Sequence, residues 1–342
     1  MNTTKLLKSA IVTAAALLFL TSCTDEKKKM VVCWGDSLTA PHAGNGLKGT
    51  IKKVIKGDDS YPGVLDGLLS SEYEIVNCGV GGENTLTIAA RQGSIPMFLA
   101  HDIILFPDRQ EKFIGNEDVK TFLSIWDSTA VKPLLQCKWE EGSPAHINPC
   151  TIQNSAFMIK SKAPYFKREN DGYHFRWTYL IEGCNETNSY DTIKAGAIVH
   201  TEASKSLRSP YANIFFIGQN GGFKDVKDLI FQLKKMISFG NTERFIVISF
   251  HKPNNPISTI NRMIEMEDSL QNEFGKHYIN LRSYLVTQGM QDAGLSPTKE
   301  DKDSISHGQV PPQLLTDGVH FTSKGYKLIA KLVKNKFSEL GY

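Results

Sequence analysis

The feature that most constrains the fold of this sequence is an alternation of strand and helix patterns that stops and later resumes. A buried strand pattern, MVVCWG, precedes a helix pattern, YPGVLDGLLSS, and a second strand pattern, YEIVNCG. The alternation resumes at residue 212 with ANIFFIGQ and ends in a helix pattern, TSKGYKLIAKLVKNKFSEL. Repeats of this kind predict a parallel sheet covered by helices. We therefore expect one α/β domain built from residues 31–94 and 211–342.

The interval 95–210 lacks this alternation. It is rich in β-branched and aromatic residues, as in HDIILFP, AFMIKSKAPYFKRE and YHFRWTYLIEG, with Gly, Asn and Pro between them. Such runs predict short antiparallel strands, and a structureless stretch of this length would be improbable within a compact domain. We therefore predict an inserted β-rich module. Near the C-terminus, HYINLRSYL predicts a last strand and SPTKEDKDSISHGQVPPQ a long loop.

The N-terminus has the composition of an export signal. Lysines precede the apolar run AIVTAAALLFL, which is too short to span a bilayer. The run closes in LTSC, which resembles a bacterial lipobox and implies cleavage before Cys23 and lipidation of that cysteine. Residues 1–22 are then a lipoprotein signal peptide and residues 23–30 a tether. Thr24, in place of Asp, favours the outer membrane of the cell envelope; the alternative is a plain signal peptide with an incidental cysteine.

Charge and cysteine content exclude several classes of protein. The net charge is +3 and no basic stripe interleaves with aromatics, so the sequence has no nucleic-acid-binding footprint. There is no C-x-x-C pair, which disfavours a zinc ribbon or a thioredoxin-like site. Cys33 and Cys78 lie in apolar strand patterns and are expected to be buried thiols. In an exported protein one disulfide among Cys137, Cys150 and Cys184 is plausible.

Ser37 follows the first predicted strand, in GDSLTA. Ligands of parallel sheets collect outside the carboxyl ends of the strands. A serine there becomes a nucleophile only with a base and a group that orients the base. Asp317 and His320, in TDGVHF, are three residues apart. That spacing lets the carboxylate accept from the imidazole Nδ1 and leaves Nε2 free to face a serine. Taken alone, each piece is also a common turn or helix-cap pattern.

Two further strand ends carry groups suited to stabilising an oxyanion. Gly82, in NCGVGGENT, offers a backbone N–H without a side chain, and Asn220, in GQNGG, offers an amide. A tight turn would explain the glycine equally well, and a left-handed turn residue would explain the asparagine.

Taken together and in order, GDSLTA, NCGVGGENT, GQNGG and DGVHFTSKGY resemble the four sequence blocks of the GDSL/SGNH hydrolases. That resemblance implies a flavodoxin-like three-layer α/β/α fold and a serine esterase or lipase activity. By the same match Ser37 is the nucleophile, His320 the base and Asp317 its orienting acid. The backbone N–H of Ser37, Gly82 and Asn220 would form the oxyanion hole.

Gly82 is preferred to Gly79 and Gly81 because it falls five residues after Asn77, as the family pattern asks. The sequence departs from that pattern in two respects. Asn220 is followed by Gly221 rather than Asp, which removes a neighbouring carboxylate. The family also joins its second and third blocks by a short helix and strand, where this chain has residues 95–210.

Other histidines are weaker candidates. His251, at a strand end in ISFHKP, either lines the pocket or is structural, and His307 lies in the predicted loop. His42 follows Ser37 too closely in sequence to fold back as its base. No histidine–carboxylate cluster has metal-ligand spacing, and no glycine-rich loop resembles a nucleotide cradle. No metal and no cofactor are therefore expected.

The sequence thus predicts an exported, lipid-anchored esterase that acts through an acyl-enzyme, with acetyl or short-acyl groups on carbohydrate as substrate. Two alternatives stay open: a catalytically silent glycan-binding lipoprotein on the same scaffold, and an acyltransferase with the same triad.

Overall fold

The computed structural model describes residues 28–40, 58–108, 110–116, 120–133, 147–169, 172–185 and 190–342. The predicted signal peptide, Cys23, His42 and Cys137 lie outside these ranges. Within them no helix is both long and apolar enough to cross a membrane.

A five-stranded parallel sheet forms the centre of the α/β part. Its strands are, in chain order, β1 (Lys29–Gly35), β2 (Tyr73–Gly79), β12 (Ala212–Phe216), β13 (Phe245–Ile248) and β14 (Tyr278–Ile279). In space they lie in the order β14-β13-β12-β1-β2, which is the flavodoxin-like order of doubly wound sheets. The predicted α/β class with a parallel sheet is confirmed.

Helices connect the strands. They are α1 (Tyr61–Leu68), α2 (Thr85–Gln92), α3 (Glu202–Ser206), α4 (Val226–Phe239), α5 (Ile260–Phe274), α6 (Leu281–Tyr284), α7 (Met290–Asp292), α8 (Lys299–Ser306) and α9 (Ser323–Leu340). Short 3₁₀ turns cover Gly275–His277 and Pro312–Leu314, and a π turn covers Leu285–Gly289.

The two faces of the sheet carry separate apolar clusters, because alternate residues of a strand point to opposite faces. Val31 and Cys33 of β1 pack with α1 and α9 on one face. Val32 and Trp34 pack with α2, α4 and α5 on the other face. Near-continuous burial along β1 is what a strand covered on both sides requires.

Between residues 97 and 193 the described strands are paired antiparallel in three further sheets. These strands are β3 (Met97–Leu99), β4 (Ile103–Leu105), β5 (Lys112–Asn116), β6 (Phe122–Ser124), β7 (Ala130–Val131), β8 (Cys150–Ile152), β9 (Ser155–Glu169), β10 (Gly172–Gly183) and β11 (Asp191–Ile193). Their apolar side chains form a third cluster, which includes Phe122, Ile159 and Ile181.

Three predicted element boundaries are wrong. The first strand begins at Lys29, inside the predicted tether, because Lys29 and Met30 pair with β2. The last strand ends at Ile279, where Asn280 accepts from the Ser283 N–H and caps α6. The predicted loop at 296–313 contains α8, which a capping box between Thr298 and Asp301 stabilises.

The prediction of buried thiols is confirmed, whereas the predicted disulfide is not formed by Cys150 or Cys184. Cys33 and Cys78 are buried thiols, as expected, and burial raises the pKa of Cys78 to about 12. Cys150 and Cys184 are not joined to another cysteine, so neither forms the predicted disulfide.

Candidate active site

Ser37, Gly82 and Asn220 follow three adjacent strands, β1, β2 and β12, where these strands end. The edge of the sheet at which parallel strands end is common to all of them, so these residues belong to one edge. The chain leaves β1 toward β2 on one side, whereas β12 lies on the other. Such a change of direction opens a crevice, the usual ligand site of open α/β sheets.

A tight turn holds Ser37 beyond the end of β1. The backbone N–H groups of Thr39 and Ala40 donate to the Asp36 carbonyl, and the Leu38 N–H donates to Asp36 Oδ1 at 2.8 Å. Asn77 ties this turn to β2, because its side-chain amide donates to the Thr39 carbonyl at 2.8 Å. These contacts fix the backbone on both sides of Ser37, which is partly exposed.

The loop that carries Asp317 and His320 is closed upon itself. The Thr316 N–H donates to the His320 carbonyl, and Leu315 pairs with Phe321 across the loop. Asp317 Oδ1 accepts from the backbone N–H groups of Val319 at 3.0 Å and His320 at 2.8 Å. A side-chain carboxylate that binds the backbone two and three residues later is typical of aspartate-stabilised turns.

Ser37, His320 and Asp317 form one chain of hydrogen-bonding contacts. His320 Nε2 lies 2.8 Å from Ser37 Oγ, and His320 Nδ1 lies 2.7 Å from Asp317 Oδ2. Hydrogen bonds from the His320 backbone and side chain and from the Val319 backbone hold the pKa of Asp317 well below its usual range. Asp317 therefore stays ionised at neutral pH and can stabilise a protonated imidazole.

The glycine turn after β2 distinguishes the three candidate oxyanion glycines. The Gly79 N–H already donates to Asn77 Oδ1 at 2.9 Å, and a Cβ at Gly79 would lie 2.2 Å from the Ala40 nitrogen. Gly81 contacts Ser37, since a Cβ there would lie 3.8 Å from the serine Cβ. Gly82 has φ +80° in a turn closed by the Glu83 N–H and the Val80 carbonyl, a conformation that favours glycine. The Gly79 N–H is thus already used within the fold, and the turn brings Gly81 close to Ser37, with Gly82 next to it in the chain.

Asn220 is bonded to this same turn. Its Nδ2 donates to the Glu83 carbonyl at 3.0 Å, and the Thr85 N–H donates to the Gly221 carbonyl at 3.0 Å. A primary amide has two N–H donors, so the bond to Glu83 uses one and orients the other. These two hydrogen bonds hold the segments after β2 and β12 against each other.

A buried ion pair beneath the turn was not identified from the sequence. Glu83 and Arg91 are both about 1% exposed, and Arg91 Nη2 lies 2.7 Å from Glu83 Oε2. Arg91 also donates to the Cys78 carbonyl at 2.8 Å and lies over the Trp34 ring. The pair therefore ties the glycine turn, the end of β2 and α2 together. Its members are eight residues apart and match no motif, so only tertiary structure shows it.

Asp36 is a second buried carboxylate near the site. It is 1% exposed, and its Oδ2 has no hydrogen-bond partner among the described residues. Burial raises the pKa of Asp36 to about 7, and the negative charge of Glu83 adds to this, whereas the Leu38 N–H and His320 oppose it. The folded protein therefore holds a proton on Asp36 that the unfolded chain releases near pH 4.

We expect Asp36→Asn to change how stability depends on pH. As pH rises from 4 to 7 the unfolded wild type loses this proton first, so the Asp36 contribution lowers the free energy of unfolding across that window. Asn keeps the oxygen that accepts from Leu38 and has no proton to lose. The variant should gain roughly 2–4 kcal/mol relative to wild type between pH 4 and pH 7.5, because one pKa unit corresponds to about 1.4 kcal/mol.

Urea denaturation at several pH values measures this difference. Asp66→Asn, at an exposed position of α1, is the matched control and should follow the wild-type profile. A constant difference between Asp36→Asn and wild type over the whole range would contradict the assignment.

The remaining histidine candidates occupy different environments. His251 is 2% exposed, packs against the Phe321 ring at 4.4 Å between centroids, and has its pKa lowered to about 3 by burial. It is therefore neutral at physiological pH. His307 is exposed at the end of α8, where Nδ1 lies 2.8 Å from the Asp303 carbonyl. Among the described residues, neither His251 nor His307 is hydrogen-bonded to Ser37.

Within the described part of the chain, no three His, Cys, Asp or Glu side chains are grouped so that they could hold a metal ion. Ser37, His320 and Asp317 are hydrogen-bonded in the order that activation of a serine hydroxyl requires.

Comparison with known proteins adds little to this geometry. No family model and no curated protein matches the chain. A solved structure of a carbohydrate acetylesterase family member from Sinorhizobium meliloti is similar over 91% of this chain and 99% of that one, at 12% sequence identity and a TM-score of 0.36. A likeness this weak carries no functional conclusion, so the function has to be inferred from the site.

Proposed function

We propose that the protein is a serine hydrolase that cleaves carboxylic esters through an acyl-enzyme on Ser37. One observation carries the proposal: His320 Nε2 lies 2.8 Å from Ser37 Oγ although the two residues are 283 positions apart in sequence. The same imidazole is bonded through Nδ1 to Asp317. A hydroxyl, a base and an ionised acid in this order are what activation of a serine requires.

In the proposed reaction Ser37 Oγ attacks the ester carbonyl carbon while His320 Nε2 accepts the serine proton. The tetrahedral intermediate breaks its bond to the alcohol oxygen, and that oxygen takes the proton from His320. Water then attacks the acyl-serine, again with His320 as base, and the carboxylic acid is released. Asp317 orients the imidazole and stabilises its protonated form.

The oxyanion of each tetrahedral intermediate would be held by the backbone N–H groups of Ser37 and Gly82 and by the Asn220 amide. The hydrogen bond from Asn220 to Glu83 supports this assignment, because it keeps the amide in place before substrate binds. Donors fixed in advance stabilise a developing charge without reorganisation.

We propose acetyl or short-acyl esters of carbohydrate as substrates. The cavity that borders Asp317 is lined in part by Lys252, Gln309 and Thr316. A long acyl chain in such a cavity would bury these polar groups without partners, which is unfavourable.

A fluorophosphonate probe tests the nucleophile directly. Ser37 should displace fluoride and carry the phosphonyl group, seen as a mass increase on the peptide that contains Ser37. His320→Gln, which removes the base, should slow labelling strongly. No labelling, together with tight binding of a glycan, would favour the silent binding protein. Transfer of acetyl to an added sugar in place of acetate release would identify an acyltransferase.

A further inference from the structure

A cavity of about 530 Å³ lies beside the proposed triad. It is lined by residues 251–253 after β13 and by residues between 304 and 318, and Asp317 forms part of its wall. Its volume falls within the roughly 300–1,000 Å³ of small-molecule sites. We call it the His251 cavity.

The buried side chain in its wall is His251. This imidazole is 2% exposed, and neither Nδ1 nor Nε2 meets hydrogen-bond geometry with any described residue, although the Val319 backbone is close. A buried polar group without a partner is costly and rare in native proteins. His251 lines the cavity, but its ring nitrogens have almost no accessible surface, so a ligand supplies the missing hydrogen bond only if the wall adjusts around it.

The rest of the wall combines polar and apolar groups. Hydroxyl, amide and ammonium groups come from Ser304, Thr316, Gln309 and Lys252. The apolar part consists of Pro253, Val310, Pro312 and Leu315.

Lys252 and Gln309 have no side-chain hydrogen bond or ion pair with another described residue. Asp317, by contrast, is occupied by the Val319 and His320 donors. The groups free for a ligand are thus a neutral imidazole, an amide and an ammonium, which suit a ligand with several hydroxyls and a partly apolar ring.

We propose that the His251 cavity binds the sugar that carries the ester, with His251 hydrogen-bonded to a sugar hydroxyl and Gln309 to another. The inference rests on the proposed esterase function and names the part of the substrate that the triad does not contact. A neutral imidazole donates through one nitrogen and accepts through the other, which matches a hydroxyl. His251 is then a specificity-determining residue, in a cavity whose wall includes Asp317 of the proposed triad.

The variant His251→Phe removes both nitrogens and keeps an aromatic ring against Phe321. The measured quantity is kcat/KM for mono-O-acetylated methyl glycosides of glucose, galactose, mannose and xylose, divided by kcat/KM for p-nitrophenyl acetate, which has no sugar. We expect this ratio to fall by about tenfold or more for the best glycoside, mainly through KM, because a buried hydrogen bond is lost. Gln309→Ala should lower it in the same direction. His307→Ala, an exposed histidine outside the cavity, should leave the ratio at its wild-type value.

Binding provides a readout that does not depend on turnover. Saturation-transfer NMR with Ser37→Ala protein should detect the preferred methyl glycoside, and the signal should disappear in Ser37→Ala/His251→Phe. An unchanged ratio in folded His251→Phe, or binding that is absent or equal in the two NMR samples, would overturn the proposal. Loss of Ser37 labelling by the fluorophosphonate with retained, His251-dependent glycoside binding would instead overturn only the esterase function.

Discussion

Replacing Ser37 by alanine is expected to lower kcat for p-nitrophenyl acetate by about 10⁴–10⁶-fold, because removal of a catalytic serine leaves only binding and oxyanion stabilisation. The methyl group of alanine fits where the serine side chain lies, and the turn around it is held by Asp36 and Asn77 rather than by the hydroxyl. Circular dichroism and the melting temperature should therefore stay at wild-type values while turnover disappears.

Ser269→Ala serves as the matched control. Ser269 lies half-buried on α5 with its hydroxyl bonded to the Glu265 carbonyl, and its replacement should leave turnover unchanged. If Ser37→Ala retained more than a small fraction of wild-type kcat, Ser37 would not be the nucleophile and the esterase proposal would fail.

The second large effect is expected on stability. Arg91→Met leaves the Glu83 carboxylate buried without its partner, and breaking a buried pair in this way costs about 3–5 kcal/mol. Glu83 is about 1% exposed, and Arg91 alone opposes the rise in the pKa of Glu83 that burial causes. Urea denaturation should show the loss as a lower midpoint at an unchanged slope.

Two further variants separate charge from packing. Glu83→Gln/Arg91→Met removes the buried charge together with its partner and should recover part of the lost stability. Lys234→Met breaks the exposed pair with Glu273 and should have a much smaller effect, because exposed pairs contribute little. A loss in Arg91→Met no greater than in Lys234→Met would show that the buried pair does not stabilise the fold.

How accurately an element could be predicted from the sequence depends on how far apart in the chain the residues lie that decide its structure. Strands β1, β2 and β12 were predicted at the right places, apart from end residues of β1 and β12, because burial on both faces demands a continuous apolar run. The last strand was predicted too long because the pattern LRSYL fits a helix as well as a strand. The cap formed by Asn280 decides in favour of the helix. Helix α8 was missed because its eight residues, KEDKDSIS, are almost all polar.

In the candidate site, too, the sequence identified only those residues that belong to a local pattern. Ser37, Asp317 and His320 could be singled out because each belongs to a short local pattern, and the structure brings them within hydrogen-bond distance of one another. Their catalytic roles, and those of Gly82 and Asn220, stay predictions for the experiments above. The burial of Asp36, the pairing of Glu83 with Arg91 and the cavity around His251 had no such pattern, because these environments are created by segments that are distant in the chain.

By itself the sequence determined the α/β class, since strand and helix periodicities are local properties of the chain. Tertiary structure alone decided which strand ends meet, which carboxylates are buried and which histidine faces the serine. The physical reason is that burial and hydrogen bonding between segments hundreds of residues apart depend on strand order and helix packing, which no local pattern encodes.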